Sequence, residues 1–205
     1  MSELPKGLSS YQQAEQAVQS LKDRLPAELQ SPRVAIVCGS GLGGLADSIR
    51  DHPRAEYDYG SIPHFPKLTV PGHAGKLVFG FLGEDIPVVL MVGRAHYYEG
   101  HSIHQVTFPI RVFKLLGVET VVFYRGSMTK WFTDIAKHIF LSGLAGNHPL
   151  RGPNDEEFGP RFPPLSDAYD LELRRHVHKA WKTVVDPLSK RRLHEGVYAY
   201  VGGPR

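Results

Sequence analysis

A single cysteine, Cys38, stands in 205 residues. One thiol excludes an internal disulfide framework and any cysteine-based zinc site, and it fits a reducing compartment. No apolar run approaches the roughly 20 residues that a membrane-spanning helix needs. The segment from Met1 to Pro26 has neither an apolar h-region nor a small-residue cleavage site. The expected location is therefore cytoplasmic, with no membrane partner. Charge of one sign is also scarce: the net charge is +3 and the isoelectric point about 8.9. The longest basic cluster, Lys190-Arg191-Arg192, reads as a solvated helix end or loop. That balance suits small anionic ligands and gives no stripe for nucleic acid. Eleven histidines invite a metal reading, but His101 and His104, or His176 and His178, lack paired spacing with carboxylates or cysteines, so no metal is expected. No G-x-S-x-G elbow anchors a serine hydrolase, and no internal repeat or low-complexity tract is present.

What is there is an ordinary globular balance, 41% hydrophobic and 22% charged, in a chain long enough to bury a core. Residues 10–25 place Tyr11, Ala14, Val18, Leu21 and Leu25 at three- and four-residue spacing, an amphipathic helix ended by Pro26. Arg33 to Cys38 is a short apolar, β-branched run, suited to a strand buried on both faces of a mainly parallel sheet. A Gly-rich turn and a short helical pattern to Arg50 follow it. Lys76–Leu82 and Ile86–Val92, joined by Gly83-Glu84-Asp85, read as a hairpin that makes the sheet mixed. Ser102 to Gln105 predicts a capping box opening a helix through Leu116, with Ile103, Val106, Ile110 and Phe113 on its apolar face and Gly117 as its stop. Pro109 inside it predicts a kink or a late start. Glu119–Tyr124 and Val197–Val201 read as strands. Asp167–Val185 reads as a helix with Tyr169, Leu173, Val177, Trp181 and Val184 on one face. The stretch 123–141 has no clean period and receives no assignment.

Three segments could carry chemistry. The first is Gly39-Ser-Gly-Leu-Gly-Gly44, directly after a buried strand. Its glycines allow backbone N–H groups to converge on an anion beside a helix start, and the Ser40 hydroxyl can donate to the same anion. Gly39, Gly41 and Gly44 also fit G-x-G-x-x-G, so a dinucleotide site is an alternative. Its acidic ribose partner lacks a convincing host, because Glu56 and Asp58 do not follow an apolar strand. No lysine follows in a Walker arrangement, and a tight turn without ligand remains a third reading. The second segment is Gly93-Arg-Ala-His-Tyr-Tyr-Glu-Gly100, at the C-terminal end of a strand, where open α/β sheets place ligands. Arg94 offers a charged fork for phosphate and His96 a donor on the same side of an extended chain. Tyr98 could face a sugar and Glu99 could orient an imidazole, against the alternative of a hydrated loop with a surface ion pair. The third is His73 between glycines in Pro71–Gly75, a composition found in closing loops and also in plain exposed ones.

Together these segments resemble the trimeric-type purine nucleoside phosphorylase family. The similar runs are Val34–Asp47, Ile62–Pro66, Thr69–Phe81, Gly93–Gly100 and Val106–Gly117, then Asn147–Asp155, Phe158–Pro163, Ser166–Asp170 and Glu195–Tyr198. The resemblance implies an α/β fold, a single domain over 1–205 with a mixed central β-sheet flanked by helices. It implies a pentosyltransferase of purine salvage that cleaves purine (deoxy)ribonucleosides with inorganic phosphate, giving free base and (deoxy)ribose 1-phosphate. Phosphate is then a co-substrate, and no cofactor is needed. Carried over by motif, Ser40, Arg94 and His96 bind phosphate and His73 sits on a gating loop. Tyr98 contacts the ribose, Glu99 orients His96, and Phe162 reaches a neighbouring subunit's ribose pocket in a homotrimer. With phosphate held beneath the reacting carbon, positioning and charge do most of the work.

The pattern departs from the family in two places. After Val121-Val122 the family has a Thr-Asn-Ala-Ala-Gly-Gly strand end, where this chain reads Phe123-Tyr-Arg-Gly-Ser-Met-Thr, and the block near 123–140 does not align. The family also continues past Gly202-Gly-Pro with the residues that recognise the base, so the expectation is a domain incomplete at its C-terminus. The alternative reading is a catalytically inactive truncated isoform that only associates with full-length subunits.

Overall fold

A computed structural model describes residues 7–39, 43–50, 52–68, 75–124, 131–144, 146–186 and 191–200. The chain divides into two compact units, residues 1–127 and 128–205.

The first unit opens with helix α1 (Ser10–Lys22), whose Ser9 and Gln12 form a reciprocal capping box and which buries Ala14, Ala17, Val18 and Leu21. The chain leaves the helix before Leu25, where the Gln30 side-chain amide donates to the carbonyls of Lys22 and Leu25. Strands β1 (Val34–Cys38), β2 (Ala55–Asp58), β3 (Lys76–Leu82), β4 (Ile86–Val92) and β5 (Thr120–Tyr124) form one sheet in the order β2-β3-β4-β1-β5. The central strand β1 is parallel to β4 and β5, while β3 runs antiparallel to β4 and to β2. The sheet is therefore mixed, and the Gly83 turn closes the predicted hairpin at φ +63°. Ile36 and Cys38 join Ala46, Ile49, Val78, Val88, Leu90 and Val92 in one apolar cluster. Ala35, Val37, Leu77, Phe79, Val89 and Met91 are buried at the alternate positions. Both faces are covered, which is why β1 lacks polar alternation.

Helix α2 (Ile103–Leu115) crosses between β4 and β5 and packs against α1. The predicted Ser102–Gln105 capping box is present, and the helix is continuous from Ile103 past Pro109. The missing amide of Pro109 falls opposite the Gln105 carbonyl, in the exposed first turn, so the late start is not needed. The buried face is Phe108, Pro109, Val112 and Phe113, rotated from the expected Ile103, Val106 and Ile110, because Phe108 turns inward onto Phe65 at 5.8 Å. Strand β2 was not expected. It is a four-residue edge whose burial alternates, and charged edges of this kind discourage further pairing.

In the second unit, β6 (Trp131–Phe140) pairs in parallel with β7 (Arg192–Tyr200), with a register shift between Ile135 and Lys137. The unassigned stretch 123–141 thus contains the end of β5 and all of β6, and 125–130 lie outside the described residues. The last strand starts at Arg192, earlier than expected, and Val201 is outside the described residues. A single turn, α3 (Leu141–Leu144), follows β6. Helix α4 (Leu171–Val184) begins later than expected because Asp170 caps it, accepting from the Leu173 amide at 2.7 Å. Its expected apolar side is not buried: Leu173, Val177 and Val184 are exposed. Arg174 ties it to both strands through Asp134 of β6 and Glu195 of β7.

Candidate functional site

Parallel pairing brings two of the sequence-predicted segments to one sheet edge. Cys38 pairs with Val92, so Gly39 and Gly93 leave the carboxyl ends of adjacent strands. Lys76, opening antiparallel β3, sits opposite Val92 at the same edge. Ser40 and His73 themselves lie outside the described residues.

Beneath the Gly93 turn lies Tyr59, a residue without a motif. Its ring is buried and tilted against Phe65 at 5.3 Å, and its hydroxyl donates to the Gly93 carbonyl at 2.6 Å. Its amide donates to the Gly75 carbonyl at 2.8 Å. Through its amide and its hydroxyl, Tyr59 ties the entry of β3 to the exit of β4. Burial pushes its ionisation far above the ordinary phenolic range, so it acts as a fixed neutral donor.

Past Gly93 the backbone is extended, and residues two apart fall on one side. Arg94 Nε donates to His96 Nε2 at 3.2 Å. His96 Nδ1 faces Glu99 Oε1 at 2.8 Å. This pattern places the ring proton on Nδ1, leaving Nε2 as the acceptor toward Arg94. A 3-10 turn, Tyr97–Glu99, folds the carboxylate back under the ring, and Gly100 closes it at φ +89°. Only glycine takes that left-handed geometry without a Cβ penalty. The Glu99 side chain is 2% exposed, and its Oε2 lies 3.8 Å from His101 Nε2. Tyr98 stacks on His96 with ring centroids 4.7 Å apart and 17° between planes. It is 74% exposed.

Arg94, His96, Tyr98 and Glu99 therefore form one constellation, as their spacing predicted: a guanidinium and an imidazole side by side, an open aromatic face, and a buried carboxylate behind the imidazole. Such a set can hold a tetrahedral oxyanion and stabilise the imidazolium that donates to it. Phe162 belongs to the second unit, where it is 85% exposed, with the Arg161 guanidinium 5.9 Å from its ring centre.

The alternatives fare differently. The dinucleotide reading needs an acidic residue at the end of a parallel strand neighbouring the Gly-rich turn. Glu56 and Asp58 instead lie on antiparallel edge strand β2, separated from β1 by β3 and β4. Glu56 bonds Lys76 and Arg54, and the Lys76 bond above all lowers its carboxyl below the usual range. Histidine spacing also missed a cluster that folding assembles. Donor atoms of Asp134, His178 and Glu195 lie within 4.8 Å of one another. Arg174 bonds Asp134 Oδ2 at 3.3 Å and Glu195 Oε1 at 2.7 Å, so a fixed cation already balances both carboxylates, while Glu195 Oε2 faces His178 Nε2 at 3.5 Å.

Residues 33–124 match the family model described as the phosphorylase superfamily. Over 208 residues the chain is 47% identical to a putative purine nucleoside phosphorylase of Schizosaccharomyces pombe, covering 98% of this chain and 65% of that protein. It is 42% identical over 197 residues to purine nucleoside phosphorylase 1 of Bacillus subtilis, covering 93% of this chain and 68% of that one. A crystal structure of the Schistosoma mansoni purine nucleoside phosphorylase in complex with inosine superposes with a TM-score of 0.82 at 36% identity. That match covers 98% of this chain and 70% of the other. The chain spans just under two thirds of the length of the fission-yeast relative. Among the described residues, no helix is long and apolar enough to cross a membrane.

Proposed function

The chain belongs to the purine nucleoside phosphorylase family, and from that premise we propose that it catalyses phosphorolysis of purine (deoxy)ribonucleosides. The observation that carries this reading is the Arg94–His96–Glu99 relay at the carboxyl edge of β4, with the open Tyr98 face beside it. The inosine bound by the schistosome relative supports a purine nucleoside as the substrate class.

In the proposed reaction Arg94 and His96 receive inorganic phosphate together with Ser40, and His73 closes over it. His96 Nε2 must then become a donor. A proton from monobasic phosphate supplies it, and Glu99 stabilises the imidazolium through Nδ1. A phosphate oxygen forms the new bond to the sugar carbon as the bond to the base nitrogen breaks. The base departs with that electron pair and takes up a proton from solvent, leaving pentose 1-phosphate, and the His96 imidazolium releases its proton to solvent as the product leaves. Tyr98 packs against the sugar during the transfer. Fixed donors around the phosphate lower the barrier because they need no reorganisation as charge shifts.

Phosphate is a co-substrate in this scheme and no cofactor is invoked. A cytoplasmic location and a homotrimer are part of the proposal. The bare Phe162 ring supports the latter as a contact offered to a neighbouring subunit. Relatives and solved structures align across both compact units, which supports one phosphorylase domain over 1–205. The test is hypoxanthine release from inosine by the purified chain. Release that requires phosphate and yields ribose 1-phosphate in equal amount is expected; its absence at enzyme concentrations in the micromolar range would overturn the proposal.

A further inference from the structure

We infer that His101 is a positioning residue of the phosphate site: it holds the second oxygen of the Glu99 carboxylate and, through Glu99, fixes His96. The inference rests on Arg94 and His96 being the phosphate ligands.

The Glu99 side chain is almost wholly buried. Desolvation disfavours a carboxylate unless cationic or hydrogen-bonding groups meet its oxygens. Oε1 is met by His96 Nδ1 at 2.8 Å. Oε2 faces His101 Nε2 at 3.8 Å, an ion-pair distance. His101 is itself only 13% exposed at the side chain, and its Nε2 is buried without a hydrogen-bond partner among the described residues. A buried imidazole nitrogen aimed at a buried carboxylate oxygen finds its electrostatic partner there.

Chain geometry makes the pairing rigid. Gly100, at φ +89°, turns the backbone between Glu99 and His101, so two side chains one residue apart converge. His101 immediately precedes Ser102, the N-cap of α2. The imidazole is therefore anchored to a helix start held by its capping box, whereas Glu99 rides on a short turn. Glu99 lies between two imidazoles, one facing the ligand side and one behind it.

The charges explain the arrangement. A phosphate anion approaching Arg94 also meets the field of Glu99, whose negative charge opposes that of the guanidinium. The His96 imidazole on one carboxylate oxygen and the His101 imidazole 3.8 Å from the other offset that field, and the rear one does so without occupying the ligand's place. His101 thus acts through Glu99 and does not touch substrate.

The experiment is calorimetric titration of inorganic phosphate into the wild-type chain, His101→Leu, His101→Gln, Glu99→Gln and the Glu99→Gln/His101→Leu double variant, with thermal midpoints measured in parallel. In wild type, His101→Leu raises the phosphate Kd about tenfold, within the range of coupling for residues in one polar network. His101→Gln, which keeps a donor of similar reach, stays within about threefold of wild type by the same comparison. In the Glu99→Gln background, His101→Leu produces no further loss, a result that a merely structural role does not give. If His101→Leu does not fold, His101→Asn, whose shorter amide falls short of Glu99 Oε2, takes its place with the same expected loss. Equal Kd in wild type and the His101 variant, or the same tenfold loss in both backgrounds, overturns the inference alone. No phosphate binding by wild type overturns the site reading itself, and the inference with it.

Discussion

Replacing Tyr59 with phenylalanine removes one oxygen and leaves the packed ring in place. The deleted hydroxyl donates to Gly93 at 2.6 Å, and the ring keeps its 5.3 Å contact with Phe65. A cavity term is therefore negligible, and the cost is that of a carbonyl losing its donor. Stranding a buried polar group costs about 1–3 kcal/mol. Gly93 is only half-buried, so water can reach part of its carbonyl and the lower half of that range applies, about 1–1.5 kcal/mol. For a chain of this size that corresponds to a fall in thermal midpoint of roughly 2–6 °C. The functional consequence follows from position: Gly93 is the last residue before Arg94, so loosening it releases the strand end that aims Arg94 and His96. Phosphate affinity should weaken more than nucleoside affinity. Urea unfolding at constant m-value, paired with phosphate titration, measures both. A thermal midpoint within 1 °C of wild type together with unchanged phosphate affinity would refute the reasoning.

Arg94→Ala removes a donor of the proposed phosphate pair and should lower kcat/KM for phosphorolysis by about 10²–10³ with stability nearly unchanged; initial rates over a phosphate series test it. Glu56→Gln addresses pH. Lys76 and Arg54 hold the Glu56 carboxyl below its ordinary value of 4.5, so the ion pairs stabilise the fold fully above that value and lose their effect as pH falls through the lowered one. The variant should be less stable at pH 7 by about 1 kcal/mol or less, given the partial exposure of the pair. The gap should close in acid; an equal gap at pH 3 and pH 7 would refute it. Cys38 is buried, and burial raises its thiol above the ordinary range. A thiol reagent at pH 8 should label it only after urea is added, and rapid labelling of the native chain would contradict the packing.

Much of the first unit was legible because its elements are locally determined. The runs at 34–38, 76–82 and 86–92 are apolar and bounded by turn residues, and the Ser102 cap announces its helix. Strand β2 escaped notice because four residues with two carboxylates carry no strand signature; β3 pairs with it and supplies Lys76 to Glu56. The apolar face of α2 is ambiguous in the sequence because Ile103, Val106, Phe108, Ile110, Val112 and Phe113 spread around the helix, and contact with Phe65 selects the side through Phe108. In the second unit, β6 showed no period because polar and bulky residues mix along it. Its pairing with β7, some 60 residues later, organises it.

By itself the sequence determined the order of the main elements, the mixed sheet, and the nearness of Arg94, His96, Tyr98 and Glu99, since residues within six positions on one extended segment and turn cannot lie far apart. Tertiary structure alone decided what surrounds them. Tyr59 reaches Gly93 from 34 residues away. His101 meets Glu99 only because Gly100 adopts a left-handed turn and the carboxylate is buried. Asp134, Arg174, His178 and Glu195 gather from three separate elements. Hydrophobic period and turn chemistry act over a few residues and are written locally. Burial, and the choice of partner for a buried charge, depend on which distant segments exclude water, and only the packed chain fixes that.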